Sequence, residues 1–372
     1  MFRNEEENMR ILYLSLMRQK FIGVDKKIKS QKKSLEKLTS NKVKECRVEN
    51  EYICLDSKKI FSYCLGSKLY QKILRVIQEY IVLKKLQKKS FYEDIECIYI
   101  RRFNATKWLL DYLKFLKKLN KKIILEIPTY PYDNEISKEN YFIKQDKIYR
   151  EKYYKYIDRI VTYSDDKVIW NIPCINISNG IDLEEVNLIE KKEHNGINLI
   201  SVANYSFWHG IDRFLYSLLQ YKKNGGKEKI KFHIVGEGSE NPKFKKIVEN
   251  NIELQDMVIF HGVKFGNELD EIYNNSDIAL GSLGIHRLKL ESVQPLKNRE
   301  YCAKGLPFVI GFNDPNFKNK EYVYEVSYDD ELIEIEKLIK WYKNLEISPE
   351  EIRKDAEKFT WDIQMKKVLD NI

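Results

Sequence analysis

Short apolar runs of strand length alternate with amphipathic stretches of helix length along almost the whole 372-residue chain. That alternation admits few folds. Strands separated by helices pair in parallel and need helices over both faces of the sheet, which is the α/β class. Arg10–Leu16, Glu51–Leu55, Ile95–Ile100, residues 121–127, Asp158–Ser164 and Cys174–Asp182 read as strands. Asp25–Leu38, Ser67–Lys89, Thr106–Leu119 and Glu139–Tyr156 read as the helices between them. The charged segment 183–196 reads as a linker. A second series follows: strands Ile197–Ala203, Ile230–Gly238, Met257–Gly262, Asp277–Gly284 and residues 306–312, with helices Trp208–Tyr221, Glu268–Asn274 and one around Lys297. Two domains fit a chain of this length.

The bulk numbers narrow the classes. An apolar fraction of 43% supports packed cores. No apolar run reaches the ~18 residues of a membrane span, and the opening MFRNEEENMR lacks a signal-peptide apolar region, so the expected location is cytoplasmic. The six cysteines are scattered without a CxxC pair and read as free thiols. The net charge of +9 is uneven: residues 1–190 hold 38 Lys and Arg against 27 Asp and Glu. A basic half suits an anionic membrane surface or a phosphorylated substrate. With no zinc finger, RRM signature or Arg-rich tail, no nucleic-acid partner is expected. The alternative is a lysine coat that only solvates helices.

Glycine is equally uneven. Only Gly23 and Gly66 precede Gly180, and the other thirteen of the 15 lie at or beyond it. Many follow strands of the second series, where open α/β sheets bind ligands. There the run PLKNREYCAKGLPF, Pro295 to Phe308, places Lys297 and Glu300 three residues apart at a helix start. Such a start attracts phosphate through its free N–H groups, and a carboxylate beside it suits sugar hydroxyls.

SVANYSFWHGID (Ser201–Asp212), FHIVGEG (Phe232–Gly238), VIFHGV (Val258–Val263), ELDEIYNNSDIALGSLG (Glu268–Gly284) and REYCAKGLPF (Arg299–Phe308) together resemble the nucleotide-binding domain of retaining GT-B glycosyltransferases of the family-4 (group 1) type. The first half resembles the matching acceptor domain more loosely, through IPTYPYD (Ile127–Asp133) and CINISNGID. The resemblance implies a GT-B α/β fold, with two facing Rossmann-like domains. Residues 1–182 would bind acceptor, residues 183–358 the nucleotide-sugar, and a terminal helix, 359–372, would cross back to the first domain.

Residue by residue, the resemblance implies that Glu300 holds the ribose hydroxyls as the second glutamate of an E-x7-E motif. Val263 meets the base and Gly236 underlies the nucleotide. Asn204, Trp208 and His209 line the diphosphate loop. This chain departs from the pattern in places. The first glutamate falls on Ser292, with Glu291 one residue out of register. The Arg and Lys that grip the diphosphate fall on Asn204 and His209. MRQKFIG (Met17–Gly23) replaces the glycine pair after the first strand, and no histidine precedes His194. Lys297, Arg287, His286 and Arg299 are candidate replacements, with Lys297 and Arg287 stabilising the leaving group. Tyr130, Tyr132, Asp133, Arg18 and Lys20 are candidates for the acceptor side.

The activity implied is transfer of a sugar from a nucleotide-diphosphate sugar to a glycan or lipid-linked acceptor. Retention and a role in surface polysaccharide, capsule or glycoconjugate assembly are implied with it. No cofactor or metal is expected. The alternative is a non-catalytic GT-B subunit that stabilises a partner transferase. Helix Ser67–Lys89 reads either as an anchor to anionic lipid, making the enzyme peripheral on the membrane's inner face, or as an ordinary packing helix with lysines outward.

Overall fold

Strand β1 (Ile11–Ser15) is buried at all five positions, as a strand with helices over both faces must be. In the computed structural model, which describes residues 9–16, 22–49, 51–63, 68–101, 104–132 and 141–372, the chain divides into two compact units. One comprises residues 1–178 and 361–372, the other 179–360.

In the first unit, β1 leads into α1 (Ile22–Leu38), then β2 (Val43–Glu49), β3 (Tyr52–Leu55), β4 (Lys58–Ser62) and α2 (Leu69–Lys85). Next come β5 (Cys97–Arg101), α3 (Lys107–Lys118), β6 (Lys122–Ile127), α4 (Tyr141–Arg150), β7 (Arg159–Thr162), β8 (Val168–Ile169) and β9 (Ile172–Asn176). They form one nine-stranded sheet, ordered β4-β3-β2-β1-β5-β6-β7-β9-β8. The pairs from β2 through β1, β5, β6 and β7 to β9 are parallel. Leu12, Leu14, Ile98, Ile100, Ile123 and Leu125 pack on one face. Ile11, Tyr13, Tyr99, Ile124 and Val161 pack on the other.

The edge β2-β3-β4 is an antiparallel meander, where the sequence reading had a single strand. Its β3–β4 turn is Asp56-Ser57, with φ of +46° and +65°. Two-residue hairpins need such φ values, and glycine or asparagine usually supplies them. Asp-Ser gives no such signal. The terminal helix, Trp361–Leu369, belongs to this unit. Trp361, Met365, Val368 and Leu369 enter the second face's core, and Ser34 donates to Asp362 at 2.6 Å.

The second unit runs β10 (Ile197–Val202), α5 (Ile211–Lys223), β11 (Ile230–Val235), α6 (Asn241–Glu249), α7 (Ile252–Gln255), β12 (Val258–Gly262), α8 (Gly266–Asn274) and β13 (Ile278–Leu280). It continues with α9 (Leu296–Lys304), β14 (Phe308–Ile310), β15 (Val323–Glu325), α10 (Ile335–Lys343) and α11 (Pro349–Ala356). Its sheet is parallel throughout, ordered β12-β11-β10-β13-β14-β15.

Segment 183–196 is not a free linker. Val186 and Ile189 are buried in this unit's core, and Arg353 of α11 donates to the carbonyls of Val186 and Leu183, each at 2.8 Å. The helix expected from Trp208 instead begins after Gly210, whose φ of +65° follows a single 3-10 turn, Phe207–His209.

Candidate functional site

Three loops of the second unit leave the carboxyl ends of β10, β11 and β13 and are tied to one another by backbone. The Tyr205 N–H donates to Glu237 O at 2.9 Å, linking the loops after β10 and β11. The Leu283 N–H donates to His209 O at 2.9 Å, linking the loops after β10 and β13. Two glycines permit this. At Gly236, φ is +116° and a Cβ would collide with the Ala203 carbonyl. At Gly210 a Cβ would lie 2.7 Å from the Leu283 carbonyl carbon.

His209 is held inside this arrangement. Its Nδ1 lies 2.9 Å from the Ser206 nitrogen and 3.2 Å from the Ser206 carbonyl oxygen; the shorter contact, in which Nδ1 accepts the N–H, leaves the ring proton on Nε2 for donation. Burial, reinforced by the nearby charge of Lys297, pushes its pKa down to about 2. The ring is therefore neutral at any physiological pH.

Helix α9 opens at Pro295 with no side-chain cap and no acid in its first turn. Its leading N–H groups and positive dipole end are left for another acceptor. Lys297 lies in that turn. Its Nζ is shielded from solvent and has no hydrogen-bond partner. Burial lowers its pKa from the ordinary 10.5 to about 7, with Glu300 pulling the other way. An unpaired buried ammonium is costly, and an arriving anion removes the cost. His286, in the loop after β13, also has both ring nitrogens buried without a hydrogen bond, although Nε2 is 3.3 Å from Asp330 Oδ1. Helix end, lysine and neutral histidine bring together donors suited to an anion.

The other expected residues are placed differently. Arg287 is a junction: it donates to Asp212 Oδ1 at 2.9 Å, to Asp330 Oδ1 at 2.6 and 2.8 Å, and to Phe207 O at 2.7 Å. Its charge is spent on two carboxylates, so it holds the loop in place where a direct phosphate contact was expected. Arg299, expected on the nucleotide-sugar, is fully buried. It is paired bidentately with Asp314, under the rings of Phe317 and Phe359. At the fourth position of α9 it faces the core, one residue beyond the equally buried Asn298 and two beyond Lys297. Asn204 and Val263 are exposed, Trp208 and Glu300 half-buried, and Gly236 lies in the loop after β11. Glu291 and Ser292 line up with Asn313: Asn313 N–H donates to Glu291 O at 2.9 Å, and Ser292 bridges to Asn313.

On the acceptor side, Tyr132 is buried and its hydroxyl donates to Asp146 at 2.6 Å; this corrects its expected exposure to a ligand. Tyr130, in a cis bond to Pro131, meets the Trp170 ring edge at 6.1 Å. Arg18, Lys20 and Asp133 lie outside the described residues.

Sequence reasoning missed a polar cluster built on β5, β6 and the residue after β7, with α1 beside it. The buried Glu126 accepts from Arg101 (2.6 Å), Tyr99 (2.9 Å), Tyr163 (2.9 Å) and Gln31 (3.2 Å). Lys27, on α1, stands 3.6 Å from the same carboxylate; burial pushes its pKa down to about 7. The available signal was a polar side chain near the end of three mainly apolar strands: Arg101, Glu126 and Tyr163. Among the described residues no group of three or more His, Cys, Asp or Glu side chains is arranged to hold a metal ion.

Residues 184–358, within the second unit, match the family model described as Glycosyl transferases group 1. Whole-chain likeness to solved structures gives the fold. A glycosyltransferase from Rickettsia africae aligns over 97% of both chains, with 16% identity and a TM-score of 0.64. Sucrose-phosphate synthase from Thermosynechococcus elongatus covers 96% of this chain and 97% of its own, at 11% identity and a TM-score of 0.66. A lipopolysaccharide outer core galactosyltransferase covers 97% and 98%, at 13% identity and a TM-score of 0.63. The fold is the GT-B kind: α/β, with two mainly parallel sheets. No curated protein sequence matches the chain.

Proposed function

We propose that this chain is a glycosyltransferase that takes a sugar from a nucleotide-diphosphate sugar, with retention, and passes it to a glycan or lipid-linked acceptor in surface-polysaccharide or glycoconjugate assembly. The observation that carries the reading is the unpartnered, solvent-shielded Lys297 ammonium at the uncapped start of α9. It lies in the matched glycosyltransferase domain, where a donor's diphosphate is the fitting anion.

In the proposed reaction, the bond from the sugar's anomeric carbon to the β-phosphate oxygen breaks, and its electron pair leaves with the diphosphate. Lys297, the α9 N–H groups and the Nε2–H of His209 stabilise that charge. The acceptor hydroxyl attacks the anomeric carbon from the departing side and hands its proton to the leaving phosphate oxygen. Glu300 accepts hydrogen bonds from the ribose hydroxyls, and Val263 lies against the base. Arg287 contributes by fixing the loop that carries His209.

The test is a thermal-shift screen with UDP, GDP, ADP, CMP and the parent nucleotide-sugars. A ligand at about 100 times its dissociation constant stabilises by roughly 2.7 kcal/mol. A shift with one nucleotide, lost in Glu300→Ala, is expected. No shift with any of them contradicts the reading. A shift without turnover would favour the non-catalytic subunit that the departures at Asn204 and Ser292 suggest.

A further inference from the structure

Helix α2 buries one face and exposes the wrong kind of residue on the other. Val82, Leu83 and Leu86 enter the core. The polar side chains on that side are satisfied: Gln78 donates to Ser62 O at 3.0 Å and Glu79 accepts from Tyr63 at 3.0 Å. The outer face carries Tyr70, Ile73, Leu74, Ile77 and Tyr80, exposed by 62, 51, 42, 49 and 37%. Their spacing of three and four puts them on one stripe. Single exposed apolar residues need no explanation, but a contiguous stripe does.

What surrounds the stripe says what covers it. Lys84, Lys85, Lys88 and Lys89 are all exposed where the helix ends. The Tyr80 ring rests on Trp108 of α3 at 4.9 Å, beside exposed Lys107 and Lys114. Between Lys68 and Tyr92 the only acid is Glu79, and it is buried. On α3, Asp111 is exposed between Lys107 and Lys114, but the outer face of α2 carries no carboxylate, so a second copy of α2 would offer its lysines none. The stripe needs an apolar layer beside a dense array of anions.

We infer that α2 is a docking surface for an anionic lipid bilayer: Ile73, Leu74 and Ile77 enter the acyl boundary, Tyr70 and Tyr80 sit at headgroup level, and the lysine cluster binds the headgroup charge. Apolar burial and lysine attraction reinforce each other in such a helix. The excess of Lys and Arg in residues 1–190 has the right sign to steer the approach. The surface is separate from the anion site of the second unit and does not depend on what that site binds.

The test is co-sedimentation of the full chain with vesicles of phosphatidylcholine, with and without phosphatidylglycerol. Binding is expected only with phosphatidylglycerol, falling as salt rises. It should weaken roughly tenfold or more in the double variant Ile73→Gln, Ile77→Gln and in Lys84→Gln, Lys85→Gln. An unchanged melting temperature in the variants shows that they fold. Absence of vesicle binding, or binding that ignores both pairs of substitutions, overturns the inference. So does a wild-type dimer that the isoleucine variant converts to monomer, which would give the face to a second copy. Nucleotide-induced thermal shifts should be the same in all these proteins, so this result and the nucleotide screen stand apart.

Discussion

At the scale of single residues, Lys297 sets binding against stability. Its pKa in the folded protein is about 7, below the ordinary lysine value of 10.5. Between those values the unfolded chain holds a proton that the folded one lacks, so stability rises with pH across that window. Lys297→Met removes the buried ammonium. The unliganded variant should melt at a higher temperature than wild type near pH 7, with a flatter rise towards pH 10, while losing the nucleotide-induced shift. A scanning fluorimetry series over pH reads both effects, and a lower melting temperature in the variant would argue against an unpaired charge. His209 gives a sharper signature. With its pKa near 2 and Nδ1 accepting from Ser206, its nitrogen NMR signals should show the Nε2–H tautomer and no titration between about pH 5 and 8. A midpoint near 6.5 would mean that the ring is solvated.

Among the elements, α9 was the most legible in sequence and still partly misread. Its position, its uncapped start and its stop at Gly305 could all be read, because each depends on local chemistry: a Pro start, a Lys in the first turn, a glycine with φ of +76° at the end. Which residues face outward could not. Arg299 points to the core because Asp314, fifteen residues on, pairs with it there, and no local pattern encodes that partner. Arg299→Met leaves Asp314 buried and uncompensated, and should destabilise by about 3–5 kcal/mol. Denaturant unfolding checks this, and a loss under about 1 kcal/mol would mean that the pair is solvated. Arg287 went the same way: as a loop cation it reads as phosphate-binding, yet Asp212 and Asp330 claim it. Arg287→Lys keeps the charge but not the three-way fork. It should weaken nucleotide binding roughly tenfold while leaving Lys297 in place, which a titration of the variant can measure. The β2-β3-β4 meander was lost for a different reason, its turn being made by residues that only tertiary context forces to positive φ.

For the whole molecule, alternation of strand and helix was enough to give two mainly parallel α/β sheets, because period and order survive local errors. The return of the terminal helix to the first unit came from family likeness, and its cause is visible only in three dimensions: Trp361, Met365 and Val368 complete a core begun by Ile11 and Tyr13. The exposed stripe of α2 was ambiguous in sequence, since either apolar side of a helix can be the buried one until its neighbours are placed.

The most direct test of the anion site is calorimetric binding of the preferred nucleoside diphosphate at pH 8, in buffers of differing ionisation enthalpy. An anion that pairs with Lys297 restores its ordinary pKa, so binding should take up about 0.9 proton after the ligand's own titration is subtracted. Lys297→Met should take up none. Nucleotide binding with no proton uptake in wild type, or with the same uptake in Lys297→Met, would contradict the assignment of Lys297 as the diphosphate's partner.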